Sequence, residues 1–357
     1  MPQAARGAQL DRFLNLERRP PWMGRIPTRG SLTVLGHPGS GAEEAVQRIA
    51  HAEHGPSLGI WLDARHYGDR AALVAAVAEQ VLQRLLGSET LRRWRTGEPP
   101  STDALAALGS RRGAELARQL TMSDGPQTSP ISQVLALPPH GMVLCIGWAH
   151  LLAERQMGGL LWELRASVMG GEIALVLSTF PATKTSMVGE QAPLFGIGEE
   201  LEIADPTTER WREIVRVGGL PVSDDDLLWL LLRTDGQARA TAEILALTRP
   251  SSPGARRGVR RIWEQESERA LAAVGDAVSF ARAVNPHGAA LMSAIAAEQG
   301  PYRALRPYAN AKQIARALGQ LAYHGLVYSP RRGRWLLGNP LLRDALVDLD
   351  REIESRA

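Results

Sequence analysis

Short apolar runs at 32–35, 57–62, 142–146 and 173–177, with a shorter one at 201–203, predict five β-strands. Between them the apolar positions recur at helical spacing. Ala45, Val46, Ile49 and Ala50 mark one helix face, and Leu73, Val77, Val81, Leu82 and Leu85 mark another, which Asp69 can cap. A third helix spans 160–168. The runs at 142–146 and 173–177 are apolar throughout, as expected of parallel strands covered on both faces. Strands alternating with helices predict a parallel α/β sheet, with ligands at the carboxyl ends of its strands.

Beyond Asp205 the strand pattern stops. Helices are expected over 207–217, 224–233 and 238–247, with Asp224, Asp225 and Asp226 as acids at a helix start, not a metal site. A linker at 250–254 precedes a long amphipathic helix to 283. The last stretch predicts helices at 290–297 and 309–324, two short strands at 326–328 and 335–337, and a closing helix over 341–349. Helices followed by a hairpin with a basic tip read as a winged helix. At the other end, Leu10, Phe13, Leu14 and Leu16 give an amphipathic helix over 1–19. Residues 87–140 form a less regular helical excursion. The expected domains are an α/β core (1–204), a helical lid with a long connecting helix (205–283) and a winged helix (284–357).

The first strand runs into Gly36-His-Pro-Gly-Ser-Gly-Ala-Glu and then a helix. That is the strand–loop–helix frame of a phosphate-binding P-loop, whose pattern is G-x-x-x-x-G-K-[ST]. Gly36 and Gly41 fall on the glycine positions; Ala42 and Glu43 stand where Lys and Ser/Thr belong. A hydrogen bond to a charged group is worth roughly 1.5–3 kcal/mol, so the missing Lys alone is a large loss. Glu43 adds a negative charge, and Glu43 and Glu44 complement the positive end of the helix dipole themselves. Read alone, the stretch also fits a Gly-rich turn with no ligand.

Composition narrows the classes. The 357 residues allow two or three domains, and 44% hydrophobic with 22% charged residues is ordinary for a folded chain. The net charge is +3. Of 41 basic residues only Lys184 and Lys312 are lysines, so no displaced P-loop Lys is near in sequence. Arginine dominance beside abundant Ala and Gly fits a GC-rich, bacterial genome. A single cysteine, Cys145, excludes an internal disulfide. With no signal-peptide core and no run of roughly 20 apolar residues, a cytoplasmic location is expected.

A P-loop ATPase needs a second motif, an apolar strand ending in Asp, and usually Glu, which hold the magnesium shell and orient water. Here Val143–Ile146 ends in Gly147-Trp148-Ala149-His150-Leu151-Leu152. This resembles the archaeal-type ATPases of the STAND/AAA+ P-loop group, relatives of origin-recognition ATPases, whose strand end reads like D-E-A-H-L-L. Arg6-Gly7-Ala8-Gln9-Leu10 looks like that family's N-terminal box. Ser178 falls on its sensor position, and Ala192-Pro193-Leu194-Phe195-Gly196 is similar to its segment before the fifth strand. Thr234-Asp235-Gly236-Gln237 sits where its lid carries T-G-G-x-P, and Gly325-Leu326-Val327 and Asn339-Pro340-Leu341-Leu342-Arg343 fit its winged helix. Taken in order, these segments span nearly the whole chain.

The departures fall on Ala42, Glu43, Gly147 and Trp148, so the resemblance implies the fold and not hydrolysis. The expectation is a pseudo-ATPase acting as an assembly or regulatory scaffold, with a protein partner or its own copies and no membrane. Gly36, Gly39, Ser40 and Gly41 would be a vestigial phosphate loop. No cofactor is expected: ATP or ADP would bind weakly and magnesium poorly. Two alternatives remain open, an ATP-binding switch or weak ATPase using the residual loop, and a DNA-binding protein using Arg331, Arg332 and Arg334 at the wing with Lys312 and Arg316 on the preceding helix. His37 reads as an exposed turn residue, Cys145 as an inert core thiol, and His51 and His54 as too few for a metal. Arg155 and Arg165 read as surface arginines.

Overall fold

The computed structural model describes residues 30–347 apart from 53, 56, 97, 99–107, 109–114, 116, 118–130, 155–156, 250–257, 272, 308 and 332. The helix expected over 1–19, the N-terminal box, Arg155, the linker at 250–254, most of the 87–140 excursion and Arg332 lie outside the described residues. The chain divides into two compact units. One takes in 30–35 and 42–202; the other joins the loop Gly36–Gly41 to the chain from Ile203 onward.

The first unit is built on a parallel sheet. In chain order it contains β1 (Gly30–Leu35), α1 (Ala42–His51), β2 (Leu58–Asp63), α2 (Arg70–Leu86), α3 (Ser88–Arg95), α4 (Ile131–Leu135), β3 (Met142–Gly147), α5 (His150–Glu154), α6 (Gly158–Met169), β4 (Ile173–Thr179), α7 (Thr185–Val188) and β5 (Gly198–Glu202). The strand order is β2-β3-β4-β1-β5 and every pairing is parallel. All residues of β3 and β4 are buried, which is why their sequences carry no alternation. Asp69 caps α2 as expected, accepting from Ala72 N at 2.8 Å. The fifth strand lies earlier than its apolar run suggested. β5 is an edge strand with four exposed residues, three of them Glu, so only Leu201 gave a hydrophobic signal. Charged side chains on an open edge discourage pairing with another chain.

The second unit is mostly helical: α8 (Thr208–Gly218), α9 (Asp224–Thr234), α10 (Ala238–Leu247), α11 (Val259–Leu271), α12 (Val274–Val284), α13 (Gly288–Ala296), α14 (Pro301–Leu305) and α15 (Ala311–Tyr323), then the antiparallel pair β6 (Val327–Arg331) and β7 (Arg334–Leu337). Ser223 caps α9 and the three aspartates fill its first turn. Where one long helix to 283 was expected there are two, one ending at Leu271 and the next beginning at Val274. An Asn310–Gln313 capping box starts α15. Two apolar clusters organise this unit. One gathers Trp211, Leu230, Ile244 and Trp263; the other gathers Leu291, Ile314, Leu318, Val327 and Leu337.

Candidate functional site

The loop Gly36–Gly41 has the backbone of a tight glycine turn, with Gly39 at φ +79° and Gly41 at φ +94°. Ser40 is buried, and its N–H donates to His37 O at 3.0 Å. Several contacts to this loop come from its own unit. Gln237 Nε2 donates to Pro38 O at 2.9 Å and to Gly338 O at 3.0 Å. Arg239 N donates to Gly39 O at 2.8 Å. The Gln237 amide lies flat against Gly39: a Cβ there would sit 2.4 Å from Gln237 Cδ. The sequence placed Gln237 only at a variable position of the lid pattern, so nothing in it pointed to this contact with the loop.

His37 is not the exposed turn residue its surroundings in sequence suggested. Its side chain is 18% exposed and bonds Asp205 Oδ2 through Nε2 at 2.6 Å. Its Nδ1 faces Pro38 O at 3.0 Å. Both ring nitrogens therefore face oxygen acceptors, and the doubly protonated imidazolium satisfies both at once. The ring stacks on Tyr328 with centroids 4.2 Å apart and an interplanar angle of 6°. Burial first, then the carboxylates of Asp205 and Asp235, push the Tyr328 phenol well above its ordinary range. Asp205 also accepts from Ala238 N at 2.8 Å, which orients its carboxylate.

In the other unit, Ala42 opens α1 and is buried, and Glu43 and Glu44 lie in the first turn of that helix. Gly147 ends β3. A Cβ on Gly147 would meet Trp61 Cη2 at 2.4 Å and Cζ2 at 3.0 Å, so the indole of β2 already fills the space a side chain would need. Trp148 follows with φ +55°, a left-handed conformation that is a true outlier for a bulky residue. Its N–H donates to Ser178 Oγ at 3.2 Å, and Ala149 N donates to Ser178 O at 2.9 Å. The residue at the sensor position thus holds a backbone turn. The Trp148 ring meets Phe180 edge-on at 4.7 Å and carries the Arg65 guanidinium 4.5 Å above it. Arg65 is bound in turn to both oxygens of Asp63, at 2.9 and 2.7 Å. Burial raises the Asp63 pKa, but the Arg65 hydrogen bonds and charge outweigh it and hold the carboxyl below its ordinary range. Neither Trp61 nor Arg65 belongs to a motif, so sequence reasoning missed both.

Burial pushes the Cys145 thiol far up, as for an inert core residue. His51 and His54 each bond a main-chain carbonyl, Gln47 O and Ile49 O. Arg165 donates to Pro193 O and Phe195 O. Lys312 and Arg316 are exposed one turn apart on α15, and Arg331 is exposed at the end of β6. Arg334 is bound to Asp235 at 3.2 Å, which also binds Arg343. Among the described residues no group of three His, Cys, Asp or Glu could hold a metal, and no helix is long and apolar enough to cross a membrane.

The parallel five-strand sheet is consistent with the core of a P-loop ATPase fold. The structural likeness that supports this is to the Walker-type ATPase PABY2304 of Pyrococcus abyssi, at 13% identity over 94% of each chain with a TM-score of 0.61. Looser likenesses are to the ORC2 protein of Aeropyrum pernix in its ADPNP–ADP complexes (14% identity, 99% of this chain and 94% of that one, TM-score 0.48) and to the ORC1 protein of the same organism in complex with DNA (16%, 100% and 95%, TM-score 0.43). No family model matches the sequence, and no curated protein matches it.

Proposed function

We propose that this chain is a pseudo-ATPase of the AAA+/STAND kind, an assembly or regulatory scaffold that keeps the ATPase fold and has lost the chemistry. On this reading residues 205–283 are the helical lid and 284–357 a winged helix. The observation that carries it is the end of β3. Magnesium needs oxygen ligands there. Gly147 offers none, the Trp61 ring blocks a side chain, and the next position holds an indole covered by Phe180 and a guanidinium. The residues present do not fit a magnesium–nucleotide complex. The loop supports the same reading, since the side chains of Ala42 and Glu43 lack the donors and the Ser40 N–H is already given to His37 O.

The test is calorimetric titration with ATP and ADP, with and without Mg²⁺. No binding up to millimolar nucleotide is the expected result. Micromolar ATP binding would overturn the reading, and turnover would then have to be measured. A second reading, DNA binding, rests on exposed Lys312, Arg316 and Arg331. Phosphate contacts release counterions, so such binding would weaken linearly in log–log plots against salt. Arg334, the fourth described candidate, is drawn to Asp235 and contributes less to that surface.

A further inference from the structure

Helix α6 is apolar on both faces. Leu160, Leu161, Leu164 and Val168 are buried beneath it. Its outward stripe is Trp162, Ala166 and Met169, with Trp162 52% and Met169 68% exposed. The helix has two charged residues and both are engaged. Glu163 binds Arg70 at 2.9 Å and accepts from Ile131 N at 3.3 Å. Arg165 lies 5.9 Å from the Trp162 ring and donates to Pro193 O and Phe195 O at 2.9 and 2.7 Å. Those two bonds pin the 193–195 segment beside the stripe and present Phe195, 47% exposed. A helix that is hydrophobic all round is ordinarily covered. Exposed Trp, Phe and Met beside an anchored Arg is the composition of an interface centre.

The spacing and the charge say what covers it. Positions 162, 166 and 169 repeat as i, i+4, i+7, the stripe that packs against another helix, with small Ala166 leaving room between two large side chains. The chain around Phe195 carries Glu190, Glu199, Glu200 and Glu202, all exposed, against one base, Lys184, which is bound to Glu200. A two-fold pairing of two copies would bring these glutamate rims together, and like charges across an interface are costly. We infer that the outer face of α6, with Phe195, docks an amphipathic helix of a partner protein, apolar on one face and flanked by Lys and Arg. This surface stands apart from the nucleotide reading, so the two fail separately.

The experiment is an anisotropy titration of the full chain with two labelled helical peptides of equal leucine content, one with Lys and one with Glu at its polar positions. The Lys peptide binds and the Glu peptide does not. Trp162→Glu with Met169→Glu weakens the Lys peptide roughly tenfold or more, while circular dichroism melts stay unchanged because both positions are exposed. Glu200→Lys with Glu202→Lys, which share one face of β5, weakens the Lys peptide and admits the Glu peptide. Equal binding of both peptides, no binding of either, or indifference to these substitutions would overturn the inference. So would a dimer in sedimentation that Met169→Glu dissociates, since the occupant would then be a second copy.

Discussion

The substitution Gly147→Asp is the sharpest physical test of the strand end. Gly147→Asp places a Cβ 2.4 Å from Trp61 Cη2 and 3.0 Å from Cζ2, where ordinary contact needs about a full ångström more. Forcing atoms into a packed site costs about 1–3 kcal/mol. A second cost is electrostatic. Gly147 is buried, and its register partner across the parallel pair is Asp63, itself buried, so two carboxylates would face each other. A total of about 2–4 kcal/mol is expected, which for a unit of this size lowers Tm by about 5–12 °C. The steric part is separable. In a Trp61→Ala background the ring is gone, and Gly147→Asp should cost about 1–3 kcal/mol less than in the parent, the remainder being electrostatic. The assay is a double-mutant cycle by urea unfolding, read from the midpoints and slopes. If Gly147→Asp is equally costly with and without the Trp61 ring, or is neutral in the parent, the account of why this position is glycine is wrong.

Other outcomes follow from the same geometry. Trp148→Ala and Trp148→Gly both remove the ring, but only glycine relieves φ +55°, so the Gly variant should unfold later by about 1 kcal/mol in urea titrations. Gly39→Ala should cost about 2 kcal/mol or more from the Gln237 clash and φ +79°, and Gln237→Ala should recover part of that in the double variant, leaving the backbone term. Asp63 is held below its ordinary pKa, so its contribution is present above the unfolded value near 4 and is lost as pH falls through the folded value. Arg65→Ala should move the Asp63 carbon resonance to titrate at higher pH and shift the acid-unfolding midpoint upward. Ala42→Lys with Glu43→Thr should not restore ATP binding in calorimetry while Gly147 and Trp148 stand; a micromolar gain from those two changes alone would refute the weight placed on the strand end.

Periodicity carried most of the fold. β3 and β4 could be read because burial on both faces makes a strand uniformly apolar, and α8, α9 and α10 because their apolar stripes are regular. β5 was misplaced because an edge strand needs no apolar face, and its glutamates gave no strand signal. One helix was expected where α11 and α12 stand, since the amphipathic pattern runs on past Leu271 and the single Gly275 was not read as a break. At the site, the sequence exposed what was missing, because motifs define positions. It could not expose what replaced them. Trp61 reaches its place through pairing across strands, and Gln237 and Asp205 through contacts between residues far apart in the chain, while Arg65 is held by Asp63 two residues away and meets Trp148 only in the fold.

The Gln237–Gly39 contact bears on how this sequence would drift. In a working phosphate loop the glycines are kept because a ligand approaches the backbone. Here a side chain of the same polypeptide approaches it, and any larger residue at position 39 collides with that amide. Selection for folding alone would preserve the glycine. A glycine at position 39 in a distant descendant would therefore report on the upkeep of a packing contact, with no bearing on whether nucleotide is bound.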